Sequence, residues 1–327
     1  MAEPWSPFHL RLHRLLLHRP QLLPQGATLL LAVSGGQDSM ALVGLLRDLT
    51  RLHHWRLQLW HGDHGWRDDS ARQAAELRGW AEQQGLPLQL DRWGSPQPGE
   101  AAARHWRYEQ LQAAATASGA SHVVTGHTAS DRAETLLLQL ARGSHRQGLA
   151  SLRPLRPLAA GITLARPLLL FSRTETGHIR ELLELPLWPD PSNDDRRFSR
   201  NRLRAEVLPV LEQLHPGAAR RLSGLAERLA AEQDSHDELV QLALQPLQGG
   251  GGDGAVGLQR QPLLALQAAN QRRLLRAWLG QQGVVSLSAS QLEALLEQLA
   301  PQRGPGSQRL TGGRQLRWDR THLWLEG

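Results

Sequence analysis

Cysteine is absent from this sequence, which excludes disulfides, thiolate metal sites and cysteine nucleophiles. Lysine is absent as well, so that all 37 basic side chains are arginines. No apolar run approaches the roughly 18–20 residues that a membrane-spanning helix needs. The sequence therefore offers no thiol chemistry, and it predicts no membrane partner.

The charge balance of the chain is moderately basic, with a net charge of +6. The isoelectric point of 11.1 overstates this, because almost nothing titrates between neutrality and arginine in a chain without lysine or cysteine. Such a charge permits a nucleic-acid partner without requiring one. Arginine favours bidentate contacts with phosphate, but a GC-rich genome explains the same bias equally well.

The first 20 residues interleave arginines with leucines and show neither separate basic and apolar regions nor a cleavage site. This pattern is typical of an amphipathic helix rather than of a signal peptide. We therefore expect a cytoplasmic protein.

The most informative stretch begins with Thr28–Val33, an unbroken apolar run typical of a buried strand in a parallel sheet. Met40–Leu46 has helical character, and the turn between them consists of Ser34, Gly35, Gly36, Gln37, Asp38 and Ser39. Such a turn directs free backbone N–H groups at one point, and its glycines let an anion approach the main chain. We interpret it as a phosphate-binding loop; the alternative is a glycine-rich turn that only caps a helix.

Further strands alternate with helices along the next 120 or so residues. The predicted strands are Arg56–Trp60, Leu86–Leu90, Ser121–Thr125 and Ile162–Ala165. Strands and helices that alternate in this way indicate right-handed βαβ units, and hence an α/β fold with a doubly wound parallel sheet.

Polar clusters follow three of these strands, as SGGQDS (34–39), HGDHGWR (61–67) and GHTASDRAET (126–135). The carboxyl ends of parallel strands meet at one edge of a sheet, where ligands bind to such folds. We therefore expect the three clusters to line one crevice.

The acidic residues expected in that crevice are Asp38, Asp131 and Glu134. Carboxylates beside a triphosphate require Mg²⁺ between the two sets of negative charges. The alternative for Asp131 and Glu134 is structural, with Asp131 as a helix N-cap and Glu134 completing a capping pair. Their position directly after a predicted strand favours the functional interpretation.

Several other polar residues are candidates for ligand contacts. His61 and His64 are spaced like weak metal ligands, but without a third ligand nearby a hydrogen bond to a nucleotide or a structural role is favoured. Most single arginines fit a solvated helix face, whereas a set of arginines around a phosphate crevice indicates contact with RNA. The set comprises Arg104, Arg107, Arg142, Arg200, Arg202 and Arg204.

The glycine run Gly249–Gly254 is the clearest predicted linker. It divides the chain into a nucleotide-binding domain at 1–215, a helical connector with this linker at 216–254, and a small α+β domain at 255–327. The small domain is too short to be a second catalytic domain.

The turn at 34–39 resembles SGGxDS, the PP-loop of ATP pyrophosphatases. The order of motifs over residues 29–211 resembles the tRNA(Ile)-lysidine synthetase family, and residues 258–325 resemble its substrate-binding domain more weakly. The motifs are SGGQDS, HGDHGWR, Glu100 with Ala103-Arg104 and Arg107-Tyr108, GHTASDRAETLLLQLARGS, Arg166-Pro167-Leu168-Leu169, Asp190-Pro191-Ser192-Asn193 and Arg200-Asn201.

This resemblance implies a two-step reaction. ATP adenylates the C2 oxygen of the wobble cytidine in the CAU anticodon of tRNA(Ile) and releases pyrophosphate; free L-lysine then attacks C2 and expels AMP. The implied cofactors are ATP and Mg²⁺, with Asp38 and Asp131 as metal ligands and Glu134 as a third catalytic residue. The implied ATP-binding residues are 34–39 and His64, and the implied substrate-binding residues are Arg104, Arg107, Arg142, Asn201 and Arg204.

Two residues depart from the family pattern: Ser130 replaces the first of two aspartates, and Trp66 replaces a smaller apolar residue. One rival function is an ammonia-dependent amidating ligase that acts on a small nucleotide, and another is a non-catalytic RNA-binding adaptor. The oligomeric state is open, and a homodimer is compatible with the sequence.

Overall fold

A computed structural model describes residues 5–65, 69–95, 97, 99–188, 195–250, 256–284, 287–310 and 313–326. The chain forms two compact units, Met1–Ala230 and Ala231–Gly327. Within the described ranges, every helix is too short or too polar to cross a membrane.

The first unit contains a sheet of six strands in the part of the chain that the structure describes. They are β1 (Thr28–Ala32), β2 (Arg56–Asp63), β3 (Leu88–Arg92), β4 (His122–Thr125), β5 (Leu155–Ala159) and β6 (Ile162–Ala165). Their order is β3-β2-β1-β4-β6-β5, and all neighbours are parallel except β5 and β6. The predicted parallel α/β sheet is therefore confirmed.

Helices cover both faces of this sheet. The helices along this part of the chain are α1 (Pro7–His18), α2 (Gln37–His53), α3 (Ser70–Gln83), α4 (Glu100–Ser118), α5 (Ala129–Ala141), α6 (Arg146–Leu149), α7 (Arg173–Leu182), α8 (Ser199–Arg202), α9 (Leu208–Leu214) and α10 (Ala218–Leu244), of which α10 continues into the second unit. Short 3₁₀ turns lie at Pro20–Leu22 and Pro167–Leu170, and a π-helical turn lies at Leu203–Val207.

The apolar run of β1 is buried from both sides. Leu29 and Leu31 pack in one core with side chains of α1, α2 and α3, whereas Leu30 packs in a second core with α4. Successive side chains of a strand point to opposite faces, so a strand between two helical layers must be apolar at every position. This explains why the sequence of β1 does not alternate.

The strand order positions the ligand site. The chain moves outward from β1 to β2 and β3, then returns to place β4 on the other side of β1. The direction of winding thus reverses between β1 and β4, and the loops after these two strands diverge to leave a crevice at their carboxyl ends. Those loops lead into α2 and α5, whose first turns carry Asp38 and Asp131.

Several strands differ from the sequence-based boundaries: β3 lies two residues later than predicted, and β1 and β4 are each one residue shorter. β2 continues to Asp63, so His61, Gly62 and Asp63 belong to the strand and not to a loop, because β3 pairs with them through Leu90–Arg92. The antiparallel strand β5 was not predicted, and its proline and its arginine are typical of a sheet edge.

The second unit is an antiparallel sheet of five strands among the described residues, in the order β7-β8-β11-β10-β9. The strands are β7 (Gln248–Gly250), β8 (Val256–Gln259), β9 (Gly306–Arg309), β10 (Gln315–Trp318) and β11 (His322–Glu326), and the helices are α11 (Arg260–Leu264), α12 (Ala268–Gln281) and α13 (Ala289–Gln298). Trp278, Leu295 and Leu316 lie in its core. The small α+β domain is therefore confirmed as a fold.

The glycine linker prediction is wrong for its first two residues. Gly249 and Gly250 form β7 by pairing with Gly257 and Val256, and the rest of the run lies outside the described residues. The division between the compact units falls inside the continuous helix α10, at Ala230. A helical segment does lie where the connector was predicted, whereas the three-part division of the chain stays a prediction.

Candidate functional site

The loop between β1 and α2 is held in shape by its own hydroxyl groups. The Ser34 N–H donates to Ser39 Oγ at 3.2 Å, the Gly36 N–H donates to Ser34 Oγ at 3.3 Å, and Ser39 Oγ donates to the Gly36 carbonyl at 2.8 Å. Gly35 has a φ of +81°, and a Cβ there would lie 3.2 Å from Trp188 Cβ. This position therefore requires glycine for both backbone and space.

Asp38 lies in the first turn of α2 and is bonded to α7. Its Oδ2 accepts a hydrogen bond from Arg173 Nη1 at 2.8 Å, and its Oδ1 accepts one from the Thr176 hydroxyl. Burial raises the pKa of Asp38, Arg173 opposes this rise, and the charge of Asp131 adds to it. Asp38 and Asp131 are therefore close enough to repel each other.

Gln37, which was predicted to bind the nucleotide, also contacts α7. Its Nε2 donates to the Arg173 carbonyl at 2.6 Å and to Thr176 Oγ1 at 3.0 Å. Arg173 and Thr176 were missed by the sequence analysis. The S-x-x-E capping box at Ser172–Glu175 predicts the start of this helix, but nothing local indicates that it packs on the phosphate loop.

Ser130 links the start of α5 to the start of α7. Its Oγ accepts a hydrogen bond from the Arg173 N–H at 3.1 Å, so it ties the start of α5 to the start of α7. Ser130, which replaces an aspartate of the family pattern, therefore accepts a hydrogen bond from a backbone N–H group. Trp66, the other departure, and residues 190–193 lie outside the described residues.

Asp131 is part of a capping box, but as its third helical residue and not as the N-cap that the structural alternative assumed. Thr128 is the N-cap of α5, and both its N–H and its hydroxyl donate to Asp131 Oδ2 at 2.8 Å. Arg204 Nη2 donates to Asp131 Oδ1 at 3.4 Å. Burial raises the pKa of Asp131, but His127 and the hydrogen bonds from Thr128 outweigh burial and lower this pKa below its usual value.

Glu134 is fully buried and faces two arginines. Its Oε1 accepts from Arg204 Nε at 2.7 Å, its Oε2 accepts from Arg204 Nη2 at 3.1 Å, and Arg200 Nε lies 3.4 Å from Oε2. Burial raises the pKa of Glu134, whereas Arg204 opposes it. Burial lowers the pKa of Arg204, but Glu134 outweighs this and raises it. We interpret the contact as an ion pair.

The remaining predicted residues lie in three different places. Arg104, Arg107 and His64 lie near the ends of β2 and β4, and Arg107 Nη2 is 3.4 Å from His64 Nε2. Asn201 donates to the Asp195 carbonyl at 2.9 Å. Arg142 follows the last residue of α5, roughly 16 Å along the helix from Asp131, so the structure does not bring it to the carboxylates.

His61 has a structural contact. Its Nδ1 lies 2.8 Å from the carbonyl oxygen of Val33, next to the phosphate loop. Burial lowers the pKa of His61, which favours the neutral ring. Of the two interpretations for this histidine, the geometry favours the structural one.

Asp38 and Asp131 are candidate ligands for a divalent cation, which would need further ligands from water or from a bound phosphate. Across the described ranges, no group of three or more His, Asp or Glu side chains is arranged to hold a metal ion. Mg²⁺ keeps several waters and is often bound by one or two carboxylates plus substrate phosphates. Two carboxylates beside a phosphate loop match this chemistry.

Acid stability tests the environment of His127, which follows β4. Burial lowers the pKa of His127 from 6.5 to about 3. Between these values the unfolded chain binds one more proton than the folded chain, so the free energy of unfolding is expected to fall by about 1.4 kcal/mol per pH unit below pH 6.5. Urea denaturation from pH 7 to 5.5 measures this slope. A His127→Asn variant should have a flatter profile, and an equally steep one would contradict the assignment.

Two family models match the chain. A model described as a PP-loop domain matches residues 8–211, and a model described as the TilS substrate binding domain matches residues 258–324. The first covers the parallel sheet and the phosphate loop, and the second covers most of the antiparallel sheet.

Three known proteins show the extent of the likeness. The U34-tRNA thiolase NcsA from Methanococcus maripaludis superposes with a TM-score of 0.58 at 19% identity, covering 68% of this chain and 78% of that one, which supports the fold alone. A tRNA(Ile)-lysidine synthase from Prochlorococcus marinus is 42% identical over 99% of this chain and 98% of its own length. Another from Parasynechococcus marenigrum is 56% identical over 100% of this chain and 96% of its own length. The chain belongs to the tRNA(Ile)-lysidine synthase family.

Proposed function

We propose that this chain uses ATP to join L-lysine to C2 of the wobble cytidine in the CAU anticodon of tRNA(Ile). Membership of a synthase family with a PP-loop domain makes the chain an ATP-using ligase. The observation that carries the proposal is the meeting of the phosphate loop, Asp38 and Asp131 at the point where the sheet reverses its winding.

In the first step, the C2 oxygen of cytidine attacks the α-phosphorus of ATP, and pyrophosphate leaves. The backbone N–H groups of the loop and the start of α2 hold the outer phosphates, because a helix N-terminus favours negative charge. Asp38 and Asp131 would hold Mg²⁺, which supplies positive charge to the departing pyrophosphate. The guanidinium of Arg173, next to Asp38, supplies a further positive charge at this end of the crevice.

In the second step, the side-chain amine of free lysine attacks C2, and the C2–O bond breaks to release AMP. The chain has no cysteine and no lysine, which is consistent with a nucleophile supplied by a substrate. Glu134 stays a proposed catalytic residue. Its buried contacts favour an indirect role, in which it holds Arg204 toward Asp131.

The partners and location follow from the substrates. The match of residues 258–324 to a substrate-binding domain supports tRNA binding by the second unit. ATP, free lysine and tRNA meet in the cytoplasm, so the proposal keeps that location. A homodimer stays a prediction, and light scattering of the purified chain can test it.

Mass spectrometry of tRNA(Ile) incubated with the chain, ATP, Mg²⁺ and lysine tests the proposal. We expect a mass gain equal to lysine minus water on the wobble cytidine, together with one AMP and one pyrophosphate per product. Omission of lysine should leave an adenylated nucleotide. Activity that does not depend on tRNA would favour the ammonia-dependent ligase, and formation of ADP and orthophosphate would overturn the reaction scheme.

A further inference from the structure

Three arginines converge on the only tyrosine of the chain. Arg104 and Tyr108 lie on α4, Arg156 lies on β5, and Arg166 directly follows β6. The guanidinium carbons of Arg104 and Arg156 each lie 5.0 Å from the centre of the Tyr108 ring. Arg166 lies close enough to Tyr108 for each side chain to shift the pKa of the other. We refer to these four residues as the Tyr108 arginine cluster.

The cluster carries positive charge that no described carboxylate balances. Arg173, Arg200 and Arg204 each form an ion pair with an acidic residue of the site. Among the described residues, by contrast, no acidic side chain forms an ion pair with an arginine of the Tyr108 cluster. Like charges held together repel each other, so an unbalanced set of this kind is expected where an anion binds.

The potential at the tyrosine reflects this surplus. Burial raises the pKa of Tyr108, but the charges of Arg104, Arg166 and Arg156 outweigh burial and lower this pKa below its usual value. Burial lowers the pKa of Arg166. The charges of Arg156 and Arg104 lower it further, whereas Tyr108 opposes this. Both effects indicate a site in which an added negative charge is stabilised.

The cluster contains one buried arginine, Arg166, and two exposed ones, Arg104 and Arg156. Arg166 is only 3% exposed, and its Nη1 donates to the Arg153 carbonyl at 2.7 Å. Arg104 and Arg156 are exposed and lie over the tyrosine ring. A ligand can therefore contact the two exposed guanidinium groups, and the buried Arg166 adds a third positive charge near them.

The cluster also lies beside the proposed reaction site. His127 directly precedes Thr128, the N-cap of the helix that carries Asp131, and it experiences the charges of Asp131, Arg166, Arg200 and Arg104. The cluster thus lies on the side of His127, next to the Asp131–Arg204 network.

We propose that the Tyr108 arginine cluster binds an oxyanion of a substrate other than ATP, next to the reacting base. The inference rests on the proposed function. Paired planar guanidinium groups recognise carboxylate and phosphate oxygens through bidentate hydrogen bonds. Two oxyanions of the proposed substrates fit: a tRNA phosphodiester near the wobble nucleotide, or the α-carboxylate of lysine.

Single Arg104→Gln and Arg156→Gln variants and the double variant test this site, because both side chains are exposed and their loss leaves the buried Arg166 in place. Arg78→Gln, an exposed arginine on α3, is the matched control for the loss of one charge. Arg156→Lys keeps the charge but removes the planar fork. Unchanged thermal melting of every variant shows that the fold is intact.

The two oxyanions give different results. For a phosphodiester, each Gln variant weakens tRNA binding about tenfold, and the log–log salt slope of the affinity falls by roughly 0.7–0.9 per arginine. For the lysine carboxylate, tRNA binding is unchanged, and the KM for lysine rises about tenfold while the KM for lysinamide does not. Arg156→Lys should recover part of the phosphate effect and little of the carboxylate effect.

The proposal is overturned if the double variant matches Arg78→Gln in tRNA affinity, salt slope and KM for lysine. A failure of the proposed function gives a different result, because the parent chain then makes no lysidine from tRNA(Ile). Measurement of the parent chain therefore separates the two failures.

Discussion

An Asp38→Asn variant is expected to lose at least about a hundredfold in tRNA-dependent release of pyrophosphate from ATP. The substitution keeps the size of the side chain and an oxygen that can accept the bond from Thr176. It removes one of the two carboxylates proposed to hold Mg²⁺, and it leaves Arg173 beside a neutral amide. The loss should therefore be electrostatic and not a loss of fold.

ATP–pyrophosphate exchange with tRNA present, at increasing Mg²⁺, measures this effect. Arg173→Gln is the informative comparison, because it keeps Asp38 but removes its neighbouring positive charge. Arg173 holds down the pKa of Asp38, which burial raises, so the acid limb of the exchange profile should move to higher pH in Arg173→Gln. Unchanged exchange by Asp38→Asn would remove this residue from the metal site.

A Glu134→Gln variant is expected to lower the free energy of unfolding by about 3–5 kcal/mol. The side chain is fully buried, and its carboxylate is bonded to Arg204 and close to Arg200. Removal of its charge leaves two guanidinium groups in a partly buried site without their nearest carboxylate. Urea denaturation at pH 7 measures the change through the midpoint at constant slope.

A double-mutant cycle with Arg204→Met distinguishes a local pair from a general loss of packing. If the ion pair is the cause, the double variant should be less destabilised than the sum of the single variants, with a coupling of 0.5–3 kcal/mol in magnitude. Additive losses would contradict an interaction between the two side chains. Because the pair also orients Arg204 toward Asp131, both single variants should lose pyrophosphate exchange.

Local sequence patterns predicted the parallel sheet and the end of the sheet where ligands bind. The apolar run of β1 and the glycines at 35 and 36 act within a few residues, so their consequences can be read from one stretch of sequence. Asp38 and Asp131 were placed together because both follow parallel strands, and the structure does bring them within electrostatic reach.

Contacts between distant elements were not predictable in the same way. The bond between Arg173 and Asp38 depends on how α7 packs against α2, and no local pattern encodes that packing. The alternative of Asp131 as the N-cap of α5 is wrong because Thr128 is the N-cap, and local sequence does not separate the two since both side chains can cap a helix. The edge strands β5 and β7 were missed because proline and glycine usually mark turns.

The site draws its charged side chains from segments as far apart as Asp38 and Arg204. Asp38 follows the first strand, whereas Arg204 lies in the π-helical turn Leu203–Val207, after the last strand of that sheet. A chain still emerging from the ribosome therefore holds Asp131 and Glu134 before it holds the guanidinium groups that balance them. A product that ends upstream of residue 200 keeps Arg173 beside Asp38 but lacks the arginines that contact Asp131 and Glu134. The full set of charged side chains around Asp131 and Glu134 therefore exists only after nearly two-thirds of the polypeptide has been made.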